Sequence, residues 1–444
     1  MTREALSSID RMWLRMEDPA HPMMITLMLV FEGVIDVERL KEVIEHRLLP
    51  HARFRRRVVY PSGHGDAPAW EDDAGFDLDL HLKQVPLPSP GGESALRQVV
   101  NRLISSQLDL SRPLWQFHLL GPYGDGCAIV GRVHHCLADG PSLMQVLRSL
   151  TDGGSVASST LVDTGGRPSP AQPRLGPAAQ LSNLLVQQGL SIVSNPFRLR
   201  NLARMGGGTR MALRKLLSRS PDPETVFKGQ LSGRKRVAWS KPVDLAEVKA
   251  LGRPVGGTVN DVMLTLAAGA LRRYLQGHGL PVQGLTLRAG LSVNLREPDA
   301  IPALGNRAGA VLVDLPLGLE TAEARLQAVK RGMDAIKNSP EASMVWALLN
   351  ALGNAPAEIQ DTLVETYVAR ETAVVANVPG PVGAVFLAGA PLSSLMFWVP
   401  ALGGTGLCLS IVSYAGQVWL GVSTDEALVP DPEQIIAGFQ AEFD

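Results

Sequence analysis

The sequence predicts a mixed α/β protein, closer to α+β than to strict alternation, built as two halves around an irregular middle. Three observations predict it. Apolar runs of strand length are interspersed with amphipathic helical stripes in both the early and the late parts of the chain. Glycine and proline, 44 and 32 of 444 residues, call for many turns rather than a helical bundle. From Thr151 to about Gly176 the chain is dominated by Gly, Ser, Pro and Ala, which marks a linker or loop. The expected division is residues 1–150, a linker with a basic segment over 151–233, and a second half over 234–444.

The elements follow in order. Met23 to Phe31 is an apolar run of strand length, and Asp36 can cap a helix reaching about Leu48. Phe54 to Tyr60, Leu114 to Leu120 and Cys127 to His134 read as strands, and Glu93 to Leu108 as an amphipathic helix. Pro141 suits the first turn of the next helix. Ala178 to Val193 carries a helical stripe of Leu181, Leu184, Leu185 and Ile192. Between Arg198 and Arg236 stand eleven Lys or Arg against Asp222 and Glu224 alone, interleaved with Leu202, Met211, Leu213, Leu216 and Leu217. That mixture suits a helix lying on an anionic membrane, and equally a solvated linker face.

In the second half, Val237 to Trp239, Leu285 to Val293 and Ala308 to Leu315 read as strands. Helices are expected over Thr258 to Tyr274, Thr321 to Ile336, within Ala342 to Tyr367, and over Asp431 to Phe443. Thr372 to Thr424 holds no Asp, Glu, Lys, Arg or His. Pro379, Gly380, Pro381, Gly389, Pro391, Pro400, Gly403 and Gly404 break it up, so several buried strands walling an apolar cavity fit better than one membrane-spanning helix.

Composition removes several function classes. A formal net charge of -1, from 42 basic and 43 acidic residues, lacks the positive excess of a nucleic-acid binder. Cys127, Cys136 and Cys408 have neither the number nor the spacing of a disulfide framework or a zinc site, so a reducing compartment is expected. Met1 to Asp10 shows no apolar signal-peptide core. No HExxH, P-loop or GxGxxG pattern occurs, and Gly421-Val422-Ser423-Thr424-Asp425 lacks the second glycine of a nucleophile elbow.

The chemistry gathers where a strand ends and a helix begins, at His134-His135-Cys136-Leu137-Ala138-Asp139-Gly140. An imidazole can take a proton from a hydroxyl near neutral pH. Strand alternation sends His134 and His135 to opposite sides, so one faces substrate and the other packs inward. Asp139 can orient the loop or hold an arginine, and Gly140 allows a sharp exit. On the residues alone, a catalytic pair and two hydrogen-bonded loop histidines both remain open, and Cys136 alternates away from His135.

This heptad resembles the HHxxxDG signature of the chloramphenicol acetyltransferase-like superfamily, which condensation domains of peptide synthetases share. Other segments narrow the resemblance to bacterial wax ester synthase/diacylglycerol acyltransferases. Pro113-Leu114-Trp115 is similar to their PLW motif, Asn260-Asp261 to their ND motif, and Asn377-Val378-Pro379-Gly380-Pro381 to their NVPGP segment. Asp10 to Glu17 with His21-Pro22-Met23 is similar to their N-terminal stretch, and Gly305-Asn306-Arg307 to their GNR segment. The resemblance runs from about Ser7 to the C-terminus. Ala376 and Met24 depart from it, where Ser and His are frequent; this bears on substrate preference.

The resemblance implies two chloramphenicol acetyltransferase-like subdomains, each a mixed sheet with helices, and a tunnel between them with His135 midway. It implies an acyl-coenzyme A-dependent O-acyltransferase in which His135 is the general base and the acceptor is diacylglycerol or a long-chain alcohol. Asp139 would pair with an arginine, for which Arg296 is the candidate. Asn260 is the candidate oxyanion donor, or else a helix cap. Gly140, Trp115, Asn377, Pro379 and Gly380 are expected near substrate, Trp115 chiefly as packing. No cofactor is expected, acyl-coenzyme A being a substrate. A peripheral site on the inner membrane or a lipid droplet, facing the cytoplasm, is expected. The rival is a condensation-type or polyketide-associated enzyme that takes its acyl group from a carrier protein; a non-catalytic lipid binder sits poorly with an intact His135 and Asp139.

Overall fold

A computed structural model of the chain describes residues 3–60, 67–152, 220–296, 304–337, 339–353 and 357–444. The expected linker, the Ala178 to Val193 stripe and the basic segment as far as Arg219 lie outside the described residues.

The first half runs β1 (Arg3–Ala5), α1 (Ser8–Arg15), β2 (Met24–Phe31), α2 (Val37–Val43), β3 (Arg56–Val59), β4 (Ala69–Asp72), α3 (Leu78–His81), β5 (Leu82–Pro86), α4 (Gly92–Ile104), β6 (Trp115–Tyr123), β7 (Gly126–His134) and α5 (Gly140–Leu150). The second runs β8 (Lys235–Trp239), β9 (Val243–Asp244), α6 (Leu245–Gly252), α7 (Val259–Gly277), β10 (Leu287–Asn294), β11 (Ala308–Leu315), α8 (Ala322–Lys337), α9 (Glu341–Leu352) and α10 (Ala357–Val368). It ends with β12 (Ala373–Pro379), β13 (Phe386–Leu387), β14 (Ala390–Trp398), β15 (Leu407–Tyr414), β16 (Gln417–Asp425) and α11 (Pro432–Phe443).

Local chemistry sets the helix starts. Asp36 caps α2 by accepting from the Arg39 N–H at 2.8 Å, and the helix continues as a π turn over Ile44–Leu48. Thr258 and Asp261 form a capping box at α7, so Asn260 is not the cap of that helix. Asp139 caps α5, with Pro141 in its first turn.

The strands form two large mixed sheets and one three-stranded sheet, β1-β4-β3. The first large sheet is ordered β13-β14-β2-β7-β6-β5 and the second β11-β10-β12-β15-β16-β8, with β9 also pairing β16. The uncharged stretch supplies β12 to β16, as its pattern predicts. Its destination is divided. β14 leaves the second half and pairs antiparallel with β2 from Thr26 to Phe31, while β12 and β15 stay in the second sheet. The expected boundary at residue 234 is therefore crossed by a strand exchange. One apolar core joins the first sheet to Leu40, Leu96, Val100 and Leu147 of α2, α4 and α5. Another joins the second sheet to Met263, Leu271, Val329 and Phe439 of α7, α8 and α11.

Candidate active site

β7 is buried along its whole length between β2 and β6, which makes its C-terminal end a rigid mount. The chain leaves it at His134, turns, and re-enters helix at Gly140. Alternation holds at the exit. His134 is buried, its Nδ1 accepting the Cys136 N–H at 3.1 Å and its Nε2 lying 3.3 Å from Glu17 Oε2. An accepting Nδ1 leaves the ring proton on Nε2, facing the Glu17 carboxylate. His134 is thus tied to the segment after α1 and to its own loop, and does not line the cavity described below.

His135 points the other way. Its Nδ1 is 3.1 Å from Asn306 Oδ1, and its ring stacks on Trp13 at 3.8 Å between centroids, 12° from parallel. Asn306 donates through Nδ2 to Asp10 Oδ1 at 2.9 Å and to the His135 carbonyl at 2.8 Å, so its Oδ1 is the acceptor toward the imidazole. His135 therefore carries its proton on Nδ1, and Nε2 holds a lone pair. Asp10 is fixed in turn by Arg53, 3.3 Å away, which also donates to the Leu137 carbonyl at 3.0 Å. Burial pushes the His135 imidazole down to about 4, against smaller upward pulls from Asp139 and Asn306. The ring is neutral at pH 7 and able to accept a proton.

Asp139 does structural work on both halves. Its Oδ1 accepts the Ser142 N–H at 3.1 Å as the α5 cap. Its Oδ2 accepts from Arg296 Nη1 at 2.8 Å and from the Arg307 N–H at 2.7 Å. Arg296 is the expected partner, and its Nη2 also donates to Ser142 Oγ and the Gly305 carbonyl. Cys136 is fully buried, and burial raises its thiol well above the usual value.

Two cavities meet here. The larger, about 1300 Å³, is lined by His135, Asp139, Gly140 and Asn306 from one side and by Gly290, Ser292, Glu371, Ala376, Asn377 and Val378 from the other. The second, about 910 Å³, lies between the first sheet and α5, lined by side chains such as Leu27, Phe54, Phe117, Met144 and Leu147 and closed by Val378, Leu387 and Phe397 of the second half. Gly140 and Val378 belong to both walls. A Cβ on Gly140 would meet Val378 Cγ2 at 3.1 Å, so what this position needs is clearance at the junction, and the expected sharp exit does not call on a left-handed backbone.

Several expected site residues lie elsewhere. Trp115 lines neither cavity: its Nε1 donates to the Phe54 carbonyl at 2.8 Å and its ring stacks on His81, so the PLW segment is packing. Pro379 and Gly380 are also outside both walls. Gly380 is needed because a Cβ there would meet the Ser413 carbonyl at 2.4 Å, where β15 runs alongside. Asn260 is not in the cavity wall either; its Oδ1 accepts from Asn377 Nδ2 at 2.9 Å and so holds the residue that is. Asp10 and Trp13 stand out in the sequence only as part of the N-terminal stretch from Asp10 to Glu17, and Asn306 only as part of the GNR segment, without a role for any of them; Glu371 has no sequence signal at all. Among the described residues no group of three His, Cys, Asp or Glu is placed to hold a metal ion. No helix of the described residues is long and apolar enough to cross a membrane.

Known proteins similar to this chain point to one family and one fold. A family model for the wax ester synthase/diacylglycerol acyltransferase catalytic domain matches residues 6–263, and one for the C-terminal domain of the same family matches residues 304–444. The chain is 29% identical to a protein named "Probable diacyglycerol O-acyltransferase tgs2" from Mycobacterium tuberculosis, over 97% of this chain and 96% of that one. It is 26% identical to tgs1 of the same species, over 98% and 94%. Among solved structures it resembles the wax ester synthase/diacylglycerol acyltransferase of Marinobacter aquaeolei, with a TM-score of 0.69, 23% identity and coverage of 99% and 98%. It also resembles the first condensation domain of the calcium-dependent antibiotic synthetase, with a TM-score of 0.61, 15% identity and coverage of 99% and 95%.

Proposed function

This chain belongs to the wax ester synthase/diacylglycerol acyltransferase family and is an acyltransferase, and on that premise we propose that it moves a long-chain acyl group from coenzyme A to the hydroxyl of diacylglycerol, with His135 as the general base. The observation that carries the residue assignment is the neutral His135 imidazole, its tautomer set by Asn306, in the wall of a cavity that meets an all-apolar chamber. Nε2 takes the acceptor's hydroxyl proton as the oxygen attacks the thioester carbonyl carbon. The tetrahedral intermediate collapses, the carbon–sulfur bond breaks, and the departing thiolate takes the proton back from Nε2. The oxyanion needs a fixed donor. Asn377 fits better than Asn260: it lines the cavity, and one N–H held by Asn260 leaves a second for the developing charge.

The lining favours fatty chains, and the apolar chamber beneath the first sheet suits the acyl tail. Nothing in the scheme calls on a resident cofactor. A long-chain alcohol is the other acceptor consistent with the family. Peripheral docking on a membrane or lipid droplet from the cytoplasmic side is part of the same proposal, supported by the basic, apolar composition between Arg198 and Arg236.

The test is acyl transfer by purified protein with palmitoyl-coenzyme A, offering diacylglycerol and hexadecanol separately and following both free thiol and lipid product. Ester is expected, and His135→Ala should cut it by about 10²–10⁴-fold while the circular dichroism stays native. Undiminished turnover by a folded His135→Ala would remove His135 from the chemistry. Thiol release without ester would remove both acceptors.

A further inference from the structure

One helix holds His135 on two sides. Ser7 caps α1 by accepting the Asp10 N–H at 3.2 Å, and Asp10 and Trp13 stand three residues apart on the same helix face. Asp10 fixes Asn306, which accepts from the Nδ1 edge of the imidazole. Trp13 covers the face of that ring, 3.8 Å between centroids and 12° from parallel, and lines the larger cavity beside it. The indole joins Ile9 and Met12 of its own helix, with Leu348 and Leu349 of α9, in a small apolar cluster, so it is seated from its far side as well.

The reaction makes a charge here that the rest of the site leaves uncompensated. When Nε2 takes the acceptor's proton, the imidazole becomes an imidazolium shielded from water. No carboxylate among the described residues reaches hydrogen-bonding distance of the His135 ring, and Asn306, the partner of Nδ1, is neutral. Asp10 is engaged with Arg53 and Asn306. Asp139 spends one oxygen on the Ser142 N–H and the other on Arg296 and the Arg307 N–H. Glu17 faces His134, on the other side of the strand end. Glu371 lines the same cavity, but burial raises its carboxyl to about 8, so at pH 7 it carries its proton. The face of an indole is electronegative and attracts a cation within about 6 Å of its centroid, most strongly where water is excluded. A neutral imidazole gains little from that face and an imidazolium gains it in full. The contact is therefore stronger in the transition state than in the ground state, which is the condition for speeding a reaction.

We propose that Trp13 stabilises the imidazolium form of His135 through its π face and so lowers the barrier to proton transfer. This rests on the general-base reading of His135 and deepens it. The test replaces Trp13 alone, by suppression of a nonsense codon, with tryptophan carrying one, two or four ring fluorines. Fluorine nearly keeps the shape of the indole and withdraws electron density from its face. The first readout is the single-turnover rate of acyl transfer from palmitoyl-coenzyme A at pH 7. Each added fluorine should slow it, reaching about tenfold with the tetrafluoro ring. Trp13→Leu should lose about tenfold as well, and Trp13→Phe, which keeps a weaker π face, should lose less. In the His135→Ala background the fluorine series should change nothing. The second readout is carbethoxylation of His135 by diethyl pyrocarbonate at pH 7, followed by mass spectrometry. It needs no turnover and also builds positive charge on the ring, so its rate should fall in the same order. Thermal melts across the fluorine series should coincide. Rates indifferent to fluorination would overturn the proposal, and a slow Trp13→Leu beside them would mark Trp13 as packing alone. An equal fall in the His135→Ala background would overturn it too, because the effect would not pass through the base. Absence of ester from the parent enzyme with either acceptor would sink the acyltransferase reading, and the carbethoxylation series would still decide what Trp13 does to His135.

Discussion

His135 illustrates how surroundings convert a residue type into a function. An exposed imidazole titrates near 6.5, and this one is pushed down to about 4 by burial. The base form is the neutral ring, so protonation removes activity. The acid limb of kcat/KM should therefore lie near 4, and the profile should be flat from pH 7 down to 5. A limb centred near 6.5 would show that His135 is solvated during catalysis or is not the base. The fold loses stability below pH 6.5, because the unfolded chain protonates His135 and His118 while burial holds both down to about 4 in the folded one, so the profile is read against the folded fraction followed by circular dichroism; Glu17 does not add to that loss. Burial alone would raise the Glu17 carboxyl, but its bonds to His134 and the Met23 N–H outweigh this and hold it below 4.5. A depressed carboxylate contributes stability above its unfolded value and loses it only as pH falls through the folded one. The histidine was legible in the sequence because two adjacent imidazoles at a strand end are rare and chemically pointed. Its partners were not. Asn306 lies 171 residues away, and Trp13 and the Asp10 that holds Asn306 more than 120, so only the fold brings them together. Trp115, close in sequence to the site, packs on His81 as chiefly expected, and the contact with substrate also expected of it is absent from the cavity wall.

At the scale of elements, the junction between α5 and the β10–β11 loop holds the two walls of the cavity in register. Asp139 caps α5 with one oxygen and receives Arg296 and the Arg307 N–H with the other. The side chains of Asp139 and Arg296 are only 2% and 10% exposed, so the pair is shielded from solvent. Removing one partner of such a pair costs about 3–5 kcal/mol because the other is left buried and unpaired. Asp139→Ala should fall in that range in a denaturation midpoint experiment. Asp139→Asn, which can still cap, should fall short of it by about 1 kcal/mol. Combining either with Arg296→Met should give much less than the sum of the single losses; strict additivity would mean that the pair does not couple the halves. The elements themselves were largely legible. Ala308 to Leu315 is a strand over its whole predicted range, and β2, β7, α7 and α11 start within about three residues of expectation. The short pieces β1, β4 and α3 were not marked, because three or four residues carry too little periodicity to stand out.

Strand order was the feature of the whole molecule that the sequence could not supply. Alternation says that a segment is a strand, but pairing is a long-range choice, and β14 pairs with a strand more than 350 residues earlier. The exchange ties the halves together. β14 covers one edge of β2, and Trp398 at its end donates to the Val422 carbonyl of the second sheet at 3.1 Å. Beside it, a Cβ on Gly421 would meet Met396 Sδ at 2.5 Å, so β14 is seated closely on β16. Without β14 the sequence Met24–Phe31, eight apolar or hydroxyl side chains in a row, would present an open hydrophobic edge, the form of strand that invites aggregation. Residues 1–152 expressed alone should therefore aggregate, although they carry the whole HHxxxDG segment. The same fragment co-expressed with residues 220–444 should be recovered as a soluble complex. A monomeric, cooperatively melting 1–152 fragment would show that the first sheet is complete without its borrowed strand. The cavity makes the same demand. Val378 and Asn377 face His135 and Gly140 from β12 of the second sheet, and Val399 and Pro400, just past β14, line the same cavity, so the segment that completes the first sheet also contributes to the far wall of the site.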